Sequence, residues 1–375
     1  MVRVLNFIVA CVAAYDQSFQ NCLHFVSLWD NTCQSGPVDN SQILSQTGSN
    51  VSTLTCSGDE SWCAGSAQTD PQESSCTHKS YMCLACLTYN GEVKIRVQSN
   101  NMPNTCWQTN PNSPNVADYV NVDFRVTWNA DMTRVLNYLD SDFATPADVD
   151  TVLCDLQRTS SSNMHSSITY VEVDNSISMD HWSGFTRNNV ALYNGLDITN
   201  QDIMETASDE FDGCLSRASA NDNAQHVHTI SPCVNGNGAV GSQTRKPGAC
   251  GDNLDCFPKD NSYELGSWST LNAKFGGVYG LARDGHVIFG PYNGDGELWT
   301  CDDVDQCNGF FLDDGSYGYA STTFFPYTVG CWGPAPTGHT YKPGCSQNAC
   351  GFDASVSSIG FSALVIGILS LNAAL

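Results

Sequence analysis

Basic side chains are scarce in this 375-residue chain: 15 Lys and Arg stand against 39 Asp and Glu, a formal net charge of −24. Phosphate binding needs clustered Lys and Arg, so nucleic acid is excluded as a default partner. Charge of either sign is sparse as well, at 14% of residues, and the 41% hydrophobic content excludes a disordered acidic tail. Hydrolase signatures are missing: neither Gly-x-Ser-x-Gly nor His-Glu-x-x-His occurs, and paired carboxylates such as Asp302 and Asp303 are adjacent only in sequence. Strong helical periodicity is also rare.

Cysteine is what the chain has in abundance, 19 in all. Arg3, the apolar run Val4–Val12 and the small pair Ala13-Ala14 have the form of a secretory signal over residues 1–14. Removing it takes Cys11 and leaves 19 − 1 = 18 cysteines, an even number that an oxidising compartment converts to disulfides. Eight lie up to and including Cys106, inside the Asn/Pro-rich stretch 100–115, and ten follow it, the distribution expected of two separately stapled modules. Connectivity does not follow from spacing. The one Cys-x-x-Cys, Cys83 to Cys86, has neither a thioredoxin-like βαβ context nor a second Cys-x-x-Cys, so it reads as structural.

At the other end, residues 359–375 read IGFSALVIGILSLNAAL, without Lys or Arg. As a helix this stretch would reach ~25 Å, short of a ~30 Å hydrocarbon core. Small residues around Ser355 precede it, the pattern of a glycosylphosphatidylinositol signal with attachment near Ser355; a C-terminal membrane span is the competing reading. Asn50-Val51-Ser52 is an N-glycosylation sequon. These features predict a cell-surface glycoprotein of the secretory pathway, on the outer leaflet of the plasma membrane, its membrane partner reached through the anchor.

The predicted fold is mainly β and disulfide-rich. A small Cys-rich module occupies 15–110 and a larger β domain 119–335, followed by a linker and attachment region at 336–358. Strands are predicted at Gly91–Gln98, Tyr119–Trp128, Ile168–Val173 and Val190–Leu192, where β-branched and aromatic residues alternate with polar ones. Gly277–Tyr292 reads as a hairpin turning at Asp284-Gly285. Short helices are predicted at Thr133–Leu139 and at Asp148–Leu156, the second with Thr145 and Pro146 as cap and first-turn residues.

Four segments, in order, resemble the YHYH-domain family: Val190–Leu196, Gln225-His226-Val227-His228, Tyr279–Gly285 with Val287–Tyr292, and Asp303–Gly309 with Asp314–Tyr319 and Phe325–Cys331. The resemblance spans about residues 120–335 and implies a β domain of that type. Gln225 and Val227 replace the name-giving tyrosines, and Tyr317-Gly318-Tyr319-Ala320 lacks the second histidine pair that members often carry. No established activity comes with the family.

Two metal readings follow from residue chemistry. On a strand, His226 and His228 share a face and hold Zn or Cu if a third ligand converges, His286 or Asp284 being the candidate. The competing reading has these histidines hydrogen-bonded to backbone or carboxylates. Asp295, Glu297, Asp303 and Asp305, among further acids nearby, offer the oxygen donors that Ca²⁺ requires, though not at EF-hand spacing. Trp299, Tyr317, Tyr319, Phe325, Tyr327 and Trp332 are either core or a sugar-binding platform. The expected function is non-enzymatic binding or display toward an extracellular partner; the alternative is a secreted metal-dependent enzyme centred on His226 and His228.

Overall fold

Alternation of apolar and polar residues draws Glu92–Ser99 and Val122–Thr127 into neighbouring strands, each with one face against a core. The computed structural model describes residues 16–29, 52–57, 75–105, 117–130, 137–165, 170–175, 179–212, 214–235, 262–268 and 277–352. Within them the strands, numbered in chain order, are β1 (Ser52–Ser57), β2 (Ser75–Ser80), β3 (Met82–Tyr89), β4 (Glu92–Ser99), β5 (Val122–Thr127), β6 (Val171–Asn175) and β7 (Trp182–Thr186). There follow β8 (Ala191–Tyr193), β9 (Ser216–Ala218), β10 (Gln225–Val227), β11 (Val278–Ala282), β12 (Val287–Phe289), β13 (Gly309–Phe311) and β14 (Tyr317–Ala320). The helices are α1 (Phe19–Ser27), α2 (Pro146–Leu153), α3 (Ile203–Thr206) and α4 (Ser262–Ser267).

The protein is mainly β. β1 and β2 pair alone, β3-β4-β5-β6 form an antiparallel sheet, and a sheet of eight strands runs in the order β13-β14-β12-β11-β7-β8-β10-β9. The large sheet is mixed: β8 with β10 and β12 with β14 are parallel, its other neighbours antiparallel.

This large sheet is a middle layer. One face packs Phe185, Ala191, Leu281, Val287 and Phe289 into a core with Ile95, Val97, Phe124 and Val126 of the small sheet and Cys22 and Phe25 of α1. The other face packs Leu192, Val227, Tyr279, Ile288, Tyr317 and Tyr319 into a second core with Val149, Val152 and Leu153 of α2 and with Phe325, Tyr327 and Trp332. Burial on both faces explains why VYGLA, VIF and ALY are apolar without clean alternation. The six aromatics considered as a sugar platform lie inside this architecture, Trp299 the least buried at 8% exposure.

Local signals decide the element ends. The β11–β12 hairpin turns at Asp284-Gly285 as predicted; Gly285 has φ +91°, and a Cβ there would collide with the Thr127 carbonyl of β5. α2 starts where the capping box closes: Thr145 Oγ1 accepts from Asp148 N and Asp148 Oδ2 accepts from Thr145 N. The other predicted helix, Thr133–Leu139, falls partly outside the described residues, and its described end leads instead into a short 3₁₀ turn at Asp140–Phe143.

The expected boundary between residues 110 and 119 does not separate two sheets. β4 and β5 are hydrogen-bonded neighbours from Lys94↔Thr127 to Ser99↔Val122, and this pairing joins the β3-β4 hairpin to β5 and β6 in one sheet. Residues 336–352, expected to belong to a linker, are packed into the fold. Ser346 is buried, Asp305 bridges Thr337, Phe325 bridges Ala349, and Cys345 and Cys350 are bonded to Cys154 and Cys301. Further disulfides join Cys22 to Cys86, Cys214 to Cys233 and Cys307 to Cys331. Cys86 is therefore not bonded to Cys83, which is itself disulfide-bonded. Asn50, Ser355, the signal-like residues 1–14 and the apolar tail lie outside the described residues. Among the described residues no helix is long and apolar enough to cross a membrane.

Candidate functional site

Strand periodicity brings His226 and His228 together, their ring centroids 4.8 Å apart. His226 stacks on Tyr193 of β8 at 4.1 Å, and Tyr193 and Phe211 both meet His228 edge-on at 5.8 Å. Each ring turns Nδ1 to a backbone carbonyl: His226 to Ala224 at 3.0 Å, His228 to Asn194. A carbonyl only accepts, so each Nδ1 carries the proton and donates. Both side chains are about 2% exposed or less, and His228 Nε2 has no hydrogen-bond partner. Burial, then the Arg217 charge, depresses the His226 pKa to about 3. Burial, His226 and Arg217 together hold His228 well below the ordinary histidine range. Both rings are therefore neutral, with Nε2 as the lone-pair nitrogen. Arg217 stands directly across from His226 on β9 and is ion-paired with Glu210.

His286 is not part of this pair. β12 and β10 are separated by β11, β7 and β8, roughly 19 Å at ordinary strand spacing. The sheet also intervenes: His226 stacks in the core toward the small sheet, while His286 meets Tyr317 and Tyr319 in the core on the opposite face, at 5.5 and 6.2 Å. The predicted third ligand, His286 or its neighbour Asp284, thus fails to converge, and among the described residues no group of three His, Cys, Asp or Glu side chains could hold a metal.

His286 and Asp284 instead belong to a buried polar network. His286 Nδ1 lies 3.0 Å from Asp284 Oδ2 and Nε2 lies 3.1 Å from the Ala130 carbonyl. Tyr319 donates to Asp284 Oδ2 at 2.7 Å and accepts from Gly333 N at 3.1 Å. Tyr317 donates to Asp305 Oδ2 at 2.8 Å, and Asp305 also accepts from Ala335 N, Cys307 N and Gly309 N at 2.9 Å each. Burial alone would strip the His286 proton, yet the Asp284 carboxylate and the Ala130 carbonyl raise its pKa above the ordinary value. Burial raises Asp305 to about 6 against the pull of its four donors. The period-2 spacing of Tyr317 and Tyr319 placed them on one face, but only the tertiary structure supplied the two carboxylates they serve.

The four carboxylates of the calcium reading do not come together as a metal-holding group among the described residues. Asp305 points inward to Tyr317, Asp303 Oδ2 closes its own turn by accepting from Thr300 N and Oγ1 at 2.8 and 2.7 Å, and Asp295 and Glu297 are exposed. The backbone amides of Asp295 and Glu297 both donate to the Asn293 side chain, so this loop closes on its own Asx turn. Ala130 also lines a cleft of about 320 Å³, together with Gln17, Gly91, Glu92, Val93, Thr127 and Trp128. At this end of the small sheet the Lys94 ammonium donates to Glu92 and to Thr127 Oγ1, both at 2.6 Å.

No family model, no curated protein and no solved structure matches this chain.

Proposed function

We propose that this chain is an extracellular, disulfide-stapled β protein that works by binding or display at a cell surface. In this reading it carries a YHYH-type domain and is tethered through a lipid attached near Ser355. The observation that carries the proposal is the reach of its cross-links. Cys154–Cys345 closes a separation of 191 residues and Cys301–Cys350 one of 49, so the chain beyond β14 is tied both to the end of α2 and to the loop between β12 and β13. Bonds of this kind persist in oxidising surroundings, which supports export. Binding rather than turnover is supported by how the polar interior is engaged: Asp284, His286 and Asp305 bond to tyrosines and backbone of the scaffold. The cleft beside Glu92 and Thr127 is the concave surface that such a partner would enter.

Expression of the full chain in cultured eukaryotic cells tests the proposal. The expected result is labelling of intact cells, release by phosphatidylinositol-specific phospholipase C, and Cys154–Cys345 and Cys301–Cys350 cross-links in a non-reducing peptide map. Recovery from the cytosol with free thiols would overturn it.

A further inference from the structure

We infer that Arg125, laid on the Tyr89 ring beside the cleft, receives the carboxylate of a sugar acid whose hydroxyls enter that cleft. This rests on the cleft being the binding surface and names the ligand class it takes. Ile95, Val97, Phe124 and Val126 turn into the core, so strand alternation puts Lys94, Arg96, Asp123, Arg125 and Thr127 on the other face of the small sheet. Two of the three cations there are matched. Lys94 donates to Glu92 Oε2 and Thr127 Oγ1, and Arg96 grips Asp123 with two prongs, Nε to Oδ1 at 2.8 Å and Nη2 to Oδ2 at 2.6 Å. Arg125 is not matched. It is half-buried, stands directly opposite Arg96, and no carboxylate of the described residues pairs with it. Like charges opposite each other destabilise a sheet, and a chain with 39 acidic residues has carboxylates to spare for neutralising one.

What Arg125 has is a support. Its Cζ lies 4.8 Å from the centroid of the Tyr89 ring, and Tyr89 is 42% exposed. β4 separates β3 from β5 by roughly 10 Å at ordinary strand spacing, so the two side chains meet above β4. Stacking fixes the plane of the guanidinium and leaves its N–H edge for a two-pronged carboxylate.

This arch adjoins the cleft. Thr127, two residues past Arg125 on the same face, and Glu92, directly opposite Tyr89, both line it. A ligand that spans the two meets a guanidinium at one end and, roughly 7 Å along β5, the Glu92 carboxylate and the Gln17 amide at the other. Those oxygens accept from hydroxyls, while the Glu92 charge is already offset by Lys94. The complement of the whole is an acid bearing several hydroxyls. An extended acidic peptide fits less well: β4 is an interior strand whose backbone is engaged by β3 and β5, with no ladder left to extend.

The test is ligand-observed saturation-transfer NMR on the full disulfide-bonded protein, with glucuronate and glucose as probes. Glucuronate should bind at millimolar concentration and glucose at least about tenfold more weakly, a comparison that needs no variant. Arg125→Gln should weaken glucuronate by at least about tenfold while its urea midpoint stays that of wild type. Tyr89→Phe should bind as wild type, and Tyr89→Ala, which frees the guanidinium, should bind more weakly. The inference is overturned if glucuronate does not bind, if glucose binds equally well, if Arg125→Gln binds as wild type does, or if a triglutamate peptide binds more tightly and displaces glucuronate. The assay needs no membrane, so its outcome is independent of whether the chain reaches a cell surface.

Discussion

Tyr319 donates its hydroxyl to Asp284 Oδ2 at 2.7 Å, the same oxygen that lies 3.0 Å from His286 Nδ1. One carboxylate thus joins β14 to the β11–β12 turn in a region where all three side chains are fully buried. Tyr319→Phe removes that donor and the acceptor for Gly333 N, leaving two buried groups short of a partner. The expected cost is about 2–4 kcal/mol, read from urea unfolding without reductant. Asp284→Ala, which strands His286, is expected to cost more, about 3–5 kcal/mol.

Stability should respond to pH in two opposed ways. His226 sits near pKa 3 when folded against an ordinary 6.5, so the unfolded chain takes up a proton that the folded ring refuses. Its contribution is whole above pH 6.5 and is lost as pH falls below it, and His228, also depressed, acts in the same direction. Asp212 behaves inversely: burial raises it to about 7 from 3.8, so its contribution is whole below 3.8 and is lost as pH rises through 7. Unfolding free energies measured from pH 4 to 8 should therefore separate two variants. Asp212→Asn removes a component that falls by about 1.4 kcal/mol per pH unit from about pH 4 to 7, and His226→Gln removes one that rises by a similar amount per unit up to about pH 6.5, so the two variants tilt the profile in opposite directions.

Disulfide removal should rank by the chain each bond closes. Cys154–Cys345 spans 191 residues and Cys214–Cys233 spans 19. The chain-entropy relation makes the longer closure worth about 2 kcal/mol more. Paired Cys→Ala variants compared by denaturant midpoint should follow that order; equal losses would show that the other cross-links already shorten the long loop.

Gly285→Ala is expected to prevent folding or to cost at least about 3 kcal/mol, since φ +91° disfavours any side chain and a Cβ would meet the Thr127 carbonyl. Yield and the near-ultraviolet circular dichroism of the purified protein report the outcome. Gly91, in the β3–β4 turn at φ +82°, has open space around it, so Gly91→Ala should cost only its backbone strain, about 1 kcal/mol.

The sequence by itself determined the local geometry. Alternation in VDFRVT, the Asp284-Gly285 turn and the Thr145 cap with Pro146 in the first turn act between near neighbours, and each appears within a few residues of its predicted place. It also determined that His226 and His228 touch, because two residues apart on a strand is a matter of pleat. What tertiary structure decided was every relation across the large sheet. Strand order put β11, β7 and β8 between His286 and the histidine pair, turned Asp305 inward to Tyr317, and carried β5 across residues 100–119 to β4. The physical reason is that the pairing of a strand is chosen by which partner completes its buried faces, a property of the assembled layers that no local window of residues contains.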